Sequence, residues 1–325
     1  MNILVTGSSG FIGGHLVREL LNKGHKVAGL DIEVPAICPP GMNFHHCDIR
    51  MRDKLLACVQ SLRPEAILHL AARTDLDEKV GLAEYSANTD GVANLIEAIR
   101  QCESVQTAVF TSSQLVCKVG YIPRHDADYA PTTVYGESKV FTEKITREGD
   151  GGGVPWCLVR PTTVWGPNMS AHFQRFFRLI SKGVYFHIGN GPVYQPYIYV
   201  GNIVQMYCRM LELAGEEFHR KTLYFTEYEP QSLRHWTDAL QRAMSAPPIR
   251  TLPRPVAELV ARGGDFAERI GYETFPLTSF RLGNLVTEYC FDTQETERLC
   301  GPLPYTMEEG VAETVNWLQA DGIIA

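Results

Sequence analysis

Apolar residues along the first half of the chain alternate between two spacings. The run at residues 3–5 is continuous and apolar, as in strands that are buried on both faces, whereas from Phe11 onwards apolar residues recur every three to four positions, as on one face of a helix. The same alternation predicts five further strands, at residues 26–30, 43–47, 66–70, 107–110 and 156–160. It predicts the intervening helices at residues 52–61, 83–101 and 135–147.

Strands that alternate with helices in this way are typical of an α/β fold, a doubly wound parallel sheet of the Rossmann type. The glycine-rich stretch 149–153 is expected to be a flexible surface insertion. From about Gly166 the pattern loosens into a smaller, discontinuous C-terminal region. The predicted dinucleotide-binding domain therefore covers residues 1–166, with 196–226 returning to it, and the predicted substrate-binding region covers residues 167–195 and 227–325.

The amino-acid composition limits the kinds of partner that this protein is expected to bind. The 325 residues are 45% hydrophobic and 21% charged, and the net charge of −7 argues against nucleic acid or an anionic membrane as the main partner. The chain enters a strand at once and lacks a long apolar run, so we expect a cytoplasmic protein without a signal peptide. The nine cysteines occur singly, which favours reduced thiols and no metal site. Even His45-His46-Cys47 is on a predicted strand, where neighbours face opposite ways.

A glycine-rich turn follows the first strand. Gly7, Gly10 and Gly13 occupy every third position just before and within the first turn of the predicted helix. Such a turn presents backbone N–H groups and the positive end of a helix dipole to a diphosphate. The second strand ends at Asp31, and an acid there accepts hydrogen bonds from ribose hydroxyls and repels a 2′-phosphate. This combination predicts NAD as cofactor, against the alternative of a glycine turn without a ligand.

Candidate catalytic residues follow the fifth strand. Tyr135 and Lys139 are one turn apart on a predicted helix, and Ser113 ends the preceding strand. A lysine ammonium beside a phenol is expected to lower the phenol's pKa, and a serine hydroxyl can donate to a substrate oxygen. The three residues predict a proton relay for oxidising an alcohol.

Taken together, these motifs resemble the extended short-chain dehydrogenase/reductase family, particularly its nucleotide-sugar epimerase and dehydratase branch. The resemblance also extends to Asp48-Ile49, His69-Leu70-Ala71-Ala72 and Arg160-Pro161, and to Tyr197–Tyr199 with the Val200-Gly201-Asn202 that follows. It implies that Asp48 and Ile49 hold adenine, that Ala71 and Ala72 line the diphosphate, and that Asn88 lies near the nicotinamide. The full set of expected cofactor residues is Gly7, Gly10, Phe11, Ile12, Gly13, Asp31, Asp48, Ile49, Leu70, Ala71, Ala72, Asn88, Thr111, Tyr135 and Lys139. The resemblance also implies a homodimer formed by the helices at 83–101 and 135–147.

Several positions depart from the family pattern. Dehydratases of the family carry an Asp-Glu pair where this chain has Gln114 and Leu115, and Leu115 cannot transfer a proton. Two usual diphosphate contacts, an Asn and an Arg, are replaced by Thr163 and Gln195. The expected substrate residues are therefore Ser113, Gln114, Thr163, Asn168, His172, Gln195 and Arg281.

Three hypotheses follow. The first is an NAD-dependent oxidoreductase and epimerase that acts on a hydroxyl carbon of a nucleotide sugar through a keto intermediate, most simply a 4-epimerase. The second is a net NAD(P)-dependent dehydrogenase or ketoreductase acting on a nucleotide sugar or on another alcohol, as in steroid- and flavonol-type members, which the changes at Thr163 and Gln195 favour. The third is a non-catalytic dinucleotide sensor, which the presence of Ser113, Tyr135 and Lys139 disfavours.

Overall fold

The computed structural model describes residues 1–75, 80–271 and 277–324, without the side chain of His172. Its strands and helices in the first half of the chain are β1 (Asn2–Thr6), α1 (Phe11–Asn22), β2 (Lys26–Asp31), β3 (Asn43–His46), α2 (Arg52–Leu62), β4 (Ala66–His69), α3 (Asp90–Arg100), β5 (Thr107–Thr111), α4 (Val134–Glu148) and β6 (Trp156–Pro161).

The elements of the second half are β7 (Thr163–Trp165), α5 (Ala171–Ser181), β8 (Phe186–Ile188), β9 (Tyr194–Gln195), β10 (Tyr197–Tyr199), α6 (Val200–Glu212), α7 (Gly215–Phe218), β11 (Lys221–Phe225), β12 (Gln231–Ser232), α8 (Leu233–Ala243), β13 (Arg250–Leu252), α9 (Arg254–Arg269), α10 (Ser279–Val286), α11 (Gln294–Cys300) and α12 (Met307–Ala320). Among the described residues, no helix is long and apolar enough to cross a membrane.

Seven parallel strands form the main sheet, in the order β11-β6-β5-β4-β1-β2-β3. The strand order reverses beside β1, so the carboxyl ends of β1 and β4 border the crevice where ligands of doubly wound sheets bind. Both β4 and β6 are buried at every position, which explains why most of their residues are apolar. This is the predicted Rossmann-type architecture.

The chain divides into two compact units. The first comprises Met1–Val164, Ile198–Tyr228 and Phe291–Pro304, and the second comprises Trp165–Tyr197, Glu229–Cys290 and Tyr305–Ala325. Residues 291–304, predicted to lie in the substrate-binding region, belong to the first unit. The reason is local packing: Phe291 stacks on Tyr224 of β11 with ring centroids 3.8 Å apart, and Thr296 donates a hydrogen bond to the Tyr224 carbonyl.

The second unit has an aromatic core of its own. Trp236 of α8 is 5% exposed and packs against four other rings. They are Trp165, Phe176, Phe177 and Tyr197. Short strand pairs, β9 with β12 and β8 with β13, complete this unit.

Two local predictions were wrong. The helix predicted at residues 83–101 is broken at Thr89 into a 3₁₀ segment, Leu82–Asn88, and α3, because Thr89 leaves the regular helical conformation. The stretch 149–153 is a packed turn and not a flexible insertion. Its Asp150 accepts hydrogen bonds from the Trp156 indole and from Arg220, and a Cβ at Gly151 would collide with the Trp156 ring.

Candidate active site

The turn between β1 and α1 leaves no room for side chains at two of its glycines. Gly7 has a φ of +74°, and a Cβ there would lie 2.6 Å from the Ala71 nitrogen. A Cβ on Gly13 would collide with the Gly7 carbonyl oxygen. Gly10 precedes α1 without a side-chain cap, so the first N–H groups of this helix point towards the turn without a capping partner from a side chain. Such a cradle fits a diphosphate, as predicted from the glycine spacing.

At the end of β2, the Asp31 carboxylate is fixed at the edge of this turn. One oxygen accepts a hydrogen bond from the Ser9 N–H at 2.9 Å and the other accepts from the Glu33 N–H at 3.0 Å. Both donors are backbone groups, so the carboxylate is oriented while half-buried and keeps acceptor capacity for ribose hydroxyls. The placement fits the donor and acceptor pattern of an NAD ribose.

The remaining cofactor candidates differ in how accessible they are. Ala71 lies two residues after β4 and is half-buried, and its N–H donates to the Thr6 hydroxyl at 3.3 Å. Asp48 accepts three hydrogen bonds from the Arg50 guanidinium, which lower the pKa of its carboxyl. Ile49 is 4% exposed and contacts Gly91 in the main core, so little of its side chain is left to face adenine.

Asn88 has a structural position that the resemblance did not anticipate. Its side-chain oxygen accepts from the Arg73 N–H, and its amide nitrogen donates to the Arg73 carbonyl and to the Ser138 hydroxyl. The side chain is fully buried and joins the segment after β4 to α4. We infer that it holds the site together, and contact with nicotinamide stays a prediction.

Ser113, Tyr135 and Lys139 come together at the carboxyl end of β5. Ser113 accepts a hydrogen bond from the Leu115 N–H at 3.1 Å, and the Lys139 ammonium donates to the Thr111 carbonyl at 2.9 Å. Close packing holds the start of α4 here, since a Cβ on Gly136 would collide with the Leu115 carbonyl oxygen. The three side chains of the predicted relay are therefore buried on neighbouring elements.

Burial controls the protonation of this group. It raises the pKa of Tyr135 to about 12, against the lowering effect of a hydrogen bond with Ser113 and with a smaller raising effect from Tyr85. It also lowers the pKa of Lys139 to about 8, while the negative charge of Glu143 acts to raise it. The expectation that Lys139 lowers the Tyr135 pKa is therefore wrong for the protein alone, because desolvation of the phenolate dominates.

Next to this group lies a buried ion pair that was not predicted from the sequence. Glu143 of α4 and Arg160 of β6 are 0% and 1% exposed, and the guanidinium donates to both carboxylate oxygens at 2.7 Å. Ser112, adjacent to Ser113, donates to the same carboxylate at 2.6 Å, and the Tyr129 hydroxyl donates at 3.0 Å. The pair thus connects α4 to β5, to β6 and to the loop before α4. A charged residue one turn after Lys139 was the available signal.

The substrate candidates fall in both units. In the first unit, the Gln114 amide donates to the Thr163 hydroxyl at 3.3 Å, next to Ser113. In the second unit, Gln195 is 7% exposed and its amide donates to the Asn284 and Thr287 carbonyls. Both side-chain N–H groups of Gln195 are thus used within the protein, and its contact with substrate stays a prediction.

Three further candidates belong to the second unit. Asn168 adopts a φ of +65°, and Arg281 lies 3.7 Å from Glu268. His172 lies in α5, but its side chain is outside the described part of the chain. No group of three potential metal ligands occurs among the described residues.

Comparisons with known proteins give a consistent result. The profile of the family described as "NAD dependent epimerase/dehydratase family" matches residues 3–222. A 3-beta-hydroxysteroid dehydrogenase of Mycolicibacterium neoaurum is 32% identical over 62% of this chain, and the match spans only 58% of that relative. The N-acetyl-alpha-D-glucosaminyl-diphospho-ditrans,octacis-undecaprenol 4-epimerase of Escherichia coli O157:H7 is 23% identical over 97% of this chain and 95% of its own length.

Among solved structures, the UDP-glucose 4-epimerase of Thermotoga maritima with UDP-glucose superposes with a TM-score of 0.73. It is 21% identical, and the match covers 99% of both chains. At this identity the likeness is evidence for the fold alone. It extends the fold relationship beyond the residues that the family profile matches.

Proposed function

The chain belongs to the NAD-dependent epimerase/dehydratase family, and from this premise we propose that it epimerises a nucleotide-activated sugar at carbon 4. It is an NAD-dependent enzyme, as its family is. The observation that carries the finer proposal is the buried group of Ser113, Tyr135 and Lys139, combined with Leu115 where a dehydratase would need an acid.

The residues of the candidate site have separate roles in cofactor binding and in proton transfer. The glycine turn, Asp31 and the segment at Ala71 would hold NAD, which when bound supplies the acceptor and donor of a hydride. Tyr135 removes the proton of the sugar hydroxyl and later returns it, while Ser113 donates a hydrogen bond to the same oxygen. Burial disfavours the Tyr135 phenolate, and this charge would be stabilised by the positive charge of oxidised NAD when the cofactor is bound.

Lys139 provides the second positive charge next to this proton transfer. Its ammonium is anchored on the Thr111 carbonyl, so its distance from the Tyr135 ring is fixed by the β5 backbone. With a pKa of about 8, it is mostly protonated at neutral pH. We therefore assign it an electrostatic and positioning role and leave the proton transfer to Tyr135.

Gln114 and Leu115 favour epimerisation over loss of water. Elimination from the keto sugar needs an acid and a base beside the oxidised carbon, and neither side chain can serve. Gln114 is moreover held by Thr163. Two proteins named as 4-epimerases match nearly the whole chain, which supports the same choice.

The experiment has two steps. Freshly purified protein is denatured and the released nucleotide is identified by mass spectrometry; retained NAD or NADH supports a cofactor that is recycled within one turnover. The protein is then incubated with UDP-glucose and with UDP-glucuronic acid, and products are analysed by NMR. A 4-epimer of unchanged mass, absent with Tyr135→Phe, is the expected result. No conversion of any nucleotide sugar would overturn the proposal.

A net dehydrogenase or ketoreductase is the second candidate. It is favoured by Gln195, whose amide donors are both bound to main-chain carbonyls and so are not available to a substrate diphosphate. The steroid dehydrogenase relatives, at 30% to 32% identity over part of the chain, support the same alternative. Free exchange of NAD and stoichiometric accumulation of NADH with an alcohol substrate would identify it. The homodimer and the cytoplasmic location stay predictions.

A further inference from the structure

Helix α9 places its large apolar side chains outside. Leu259, Phe266 and Ile270 at the helix end are 70%, 65% and 69% exposed, and Val256 and Val260 are 45% and 39% exposed. These five residues share one side of the helix, on which Gly263 separates Val260 from Phe266, and together they are here called the outer apolar face. Phe280 in α10, the helix packed against α9, is a further exposed aromatic side chain at 67%.

The inner side of α9 carries only small residues. Ala257 and Ala261 are fully buried and pack with Leu282 of α10 in a small apolar cluster, and Gly264 is also buried. A helix whose small residues are inside and whose large apolar residues are outside reverses the usual arrangement. Exposed apolar stripes of this kind mark surfaces that bind an apolar partner.

Charge along this region indicates which partner. Residues 250–271 and 277–286 contain five arginines and three acidic residues, in a chain of net charge −7. Each acid already has a protein partner: Glu258 pairs with Arg254, Glu268 pairs with Arg281, and Asp265 accepts hydrogen bonds from Ser279.

Arginines therefore exceed acids by two in this region, although Arg269 also acts on Asp265, whose carboxyl pKa it helps to lower. Arg250, Arg262 and Arg269 are exposed and form no ion pair within the described part of the chain. Arg262 is three residues from Leu259 and four from Phe266, and so it borders the outer apolar face directly. Arginines at the margin of an apolar stripe complement anionic headgroups at a membrane surface, where the side chains beside them enter the acyl boundary.

We propose that the outer apolar face of α9 docks this protein on an anionic lipid bilayer as a peripheral, interfacial helix. A second copy of the chain fits the face less well. An isologous pair would bring two arginine-edged faces together. The face belongs to one helix, whereas each partner in a stable dimer typically buries roughly 800 Å². The net charge of −7 argued against an anionic membrane as partner, but that charge is a sum over the whole chain and does not describe the region around α9.

Vesicle flotation of the full chain tests the proposal. We expect the protein to float with vesicles of phosphatidylglycerol and phosphatidylcholine in low salt, and to bind less well as salt rises. The double variant Leu259→Glu/Phe266→Glu should bind at least about ten-fold less tightly. The matched control is Ile37→Glu, since Ile37 is 75% exposed in a loop of the other unit and its variant should bind as the unchanged protein does.

The double variant Arg262→Gln/Arg269→Gln distinguishes the contribution of charge to vesicle binding from the contribution of apolar burial. It should weaken binding to phosphatidylglycerol vesicles while leaving any residual binding to pure phosphatidylcholine unchanged. Failure of the unchanged protein to float, or an equal loss of binding with Ile37→Glu, would overturn the proposal. A dimer in lipid-free solution that Leu259→Glu/Phe266→Glu dissolves would overturn it in favour of a second copy.

Discussion

Helices α4 and α9 have nearly the same length and opposite arrangements of side chains. The buried side of α4 is polar, with Ser138, Lys139, Thr142, Glu143 and Thr146 inside. The exposed side of α9 is apolar, and its buried side has two alanines and a glycine. Helices usually bury apolar residues and expose polar ones, and both α4 and α9 depart from this arrangement. The polar interior of α4 belongs to the candidate active site of the first unit. The apolar exterior of α9 belongs to the proposed lipid-binding surface of the second unit.

The two departures differ in how they are stabilised. The polar groups inside α4 are bonded: Ser138 donates to the Tyr135 carbonyl, Thr142 to the Asn88 carbonyl, and Glu143 pairs with Arg160. Buried polar groups are tolerated only when such partners exist. The large side chains of the outer apolar face of α9 stay exposed in the described part of the chain, and the proposed lipid surface would be what covers them. Variants of the two helices should therefore behave differently.

The largest effect is expected for Tyr135→Phe. Removing the hydroxyl eliminates the group that takes and returns the proton, so turnover should fall by about 10²–10⁴. Cofactor binding and melting temperature should stay close to those of the unchanged protein, because the ring and its packing remain. Tyr121→Phe, which removes a hydroxyl outside the site, is the control. Equal activity of the Tyr135→Phe variant would remove Tyr135 from the mechanism.

Glu143→Gln should lower the free energy of unfolding and also shift the pH dependence of activity. It leaves the Arg160 guanidinium buried without its carboxylate, a change worth about 3–5 kcal/mol in the free energy of unfolding. It also removes the negative charge that raises the Lys139 pKa, so that pKa falls below about 8 and the loss of activity at high pH begins at lower pH. Urea unfolding and the pH dependence of kcat measure the two effects.

A second variant separates structure from electrostatics at this position. Glu143→Gln/Arg160→Met removes both charges and should recover much of the stability. The alkaline limb of its pH profile should stay displaced, since Lys139 still lacks the neighbouring carboxylate. If that limb returned to its original position with the stability, Glu143 would have only a packing role.

Lys139→Met should stabilise the protein while inactivating it. The folded pKa of Lys139, about 8, lies below its ordinary value of 10.5, so the unfolded chain holds the proton more tightly. The buried charge therefore destabilises the fold below about pH 8, and this cost disappears as pH rises from about 8 to 10.5. We expect a gain of about 1–3 kcal/mol at pH 7 and a smaller gain at pH 9.5.

The control for this variant is Lys144→Met, on the exposed side of the same helix. It should change the unfolding free energy little at either pH. A Lys139→Met variant that is less stable than the unchanged protein at pH 7 would show that the bond to the Thr111 carbonyl outweighs the cost of burying the ammonium.

The smallest effect on stability is expected on the outer apolar face of α9. Leu259→Glu and Phe266→Glu should each change the free energy of unfolding by less than about 0.5 kcal/mol, because both side chains are already in water. A loss of several kcal/mol, similar to that of Glu143→Gln, would show that the face is covered within the protein. It would also remove the contrast between the two helices.

Much of the first unit could be predicted from the sequence because its signals are local. Strands such as β1 and β4 are short and mostly apolar, Gly7, Gly10 and Gly13 recur at a fixed spacing of three, and Tyr135 and Lys139 share one face of a helix. The pairing of Glu143 with Arg160 and the joining role of Asn88 could not be predicted, since they depend on segments far apart in the chain.

The second unit gave weaker signals. Strands β8, β9 and β13 have only two or three residues each. The amphipathic pattern of α9 is equally compatible with a helix whose apolar face is buried in a core. Periodicity tells which residues share a face, but not whether that face is covered. The inward turn of Gln195 was hidden for the same reason, because its partners Asn284 and Thr287 are on a distant helix and its end.

The most direct test of the account uses a nucleotide sugar that carries deuterium at carbon 4. If Tyr135 and its neighbours oxidise that carbon and the same site reduces it again, the product is the 4-epimer with its deuterium retained, as seen by NMR and mass spectrometry. The Tyr135→Phe variant should give no product above background. An oxidised product that has lost the deuterium, or recovery of the sugar unchanged, would contradict the proposed 4-epimerase.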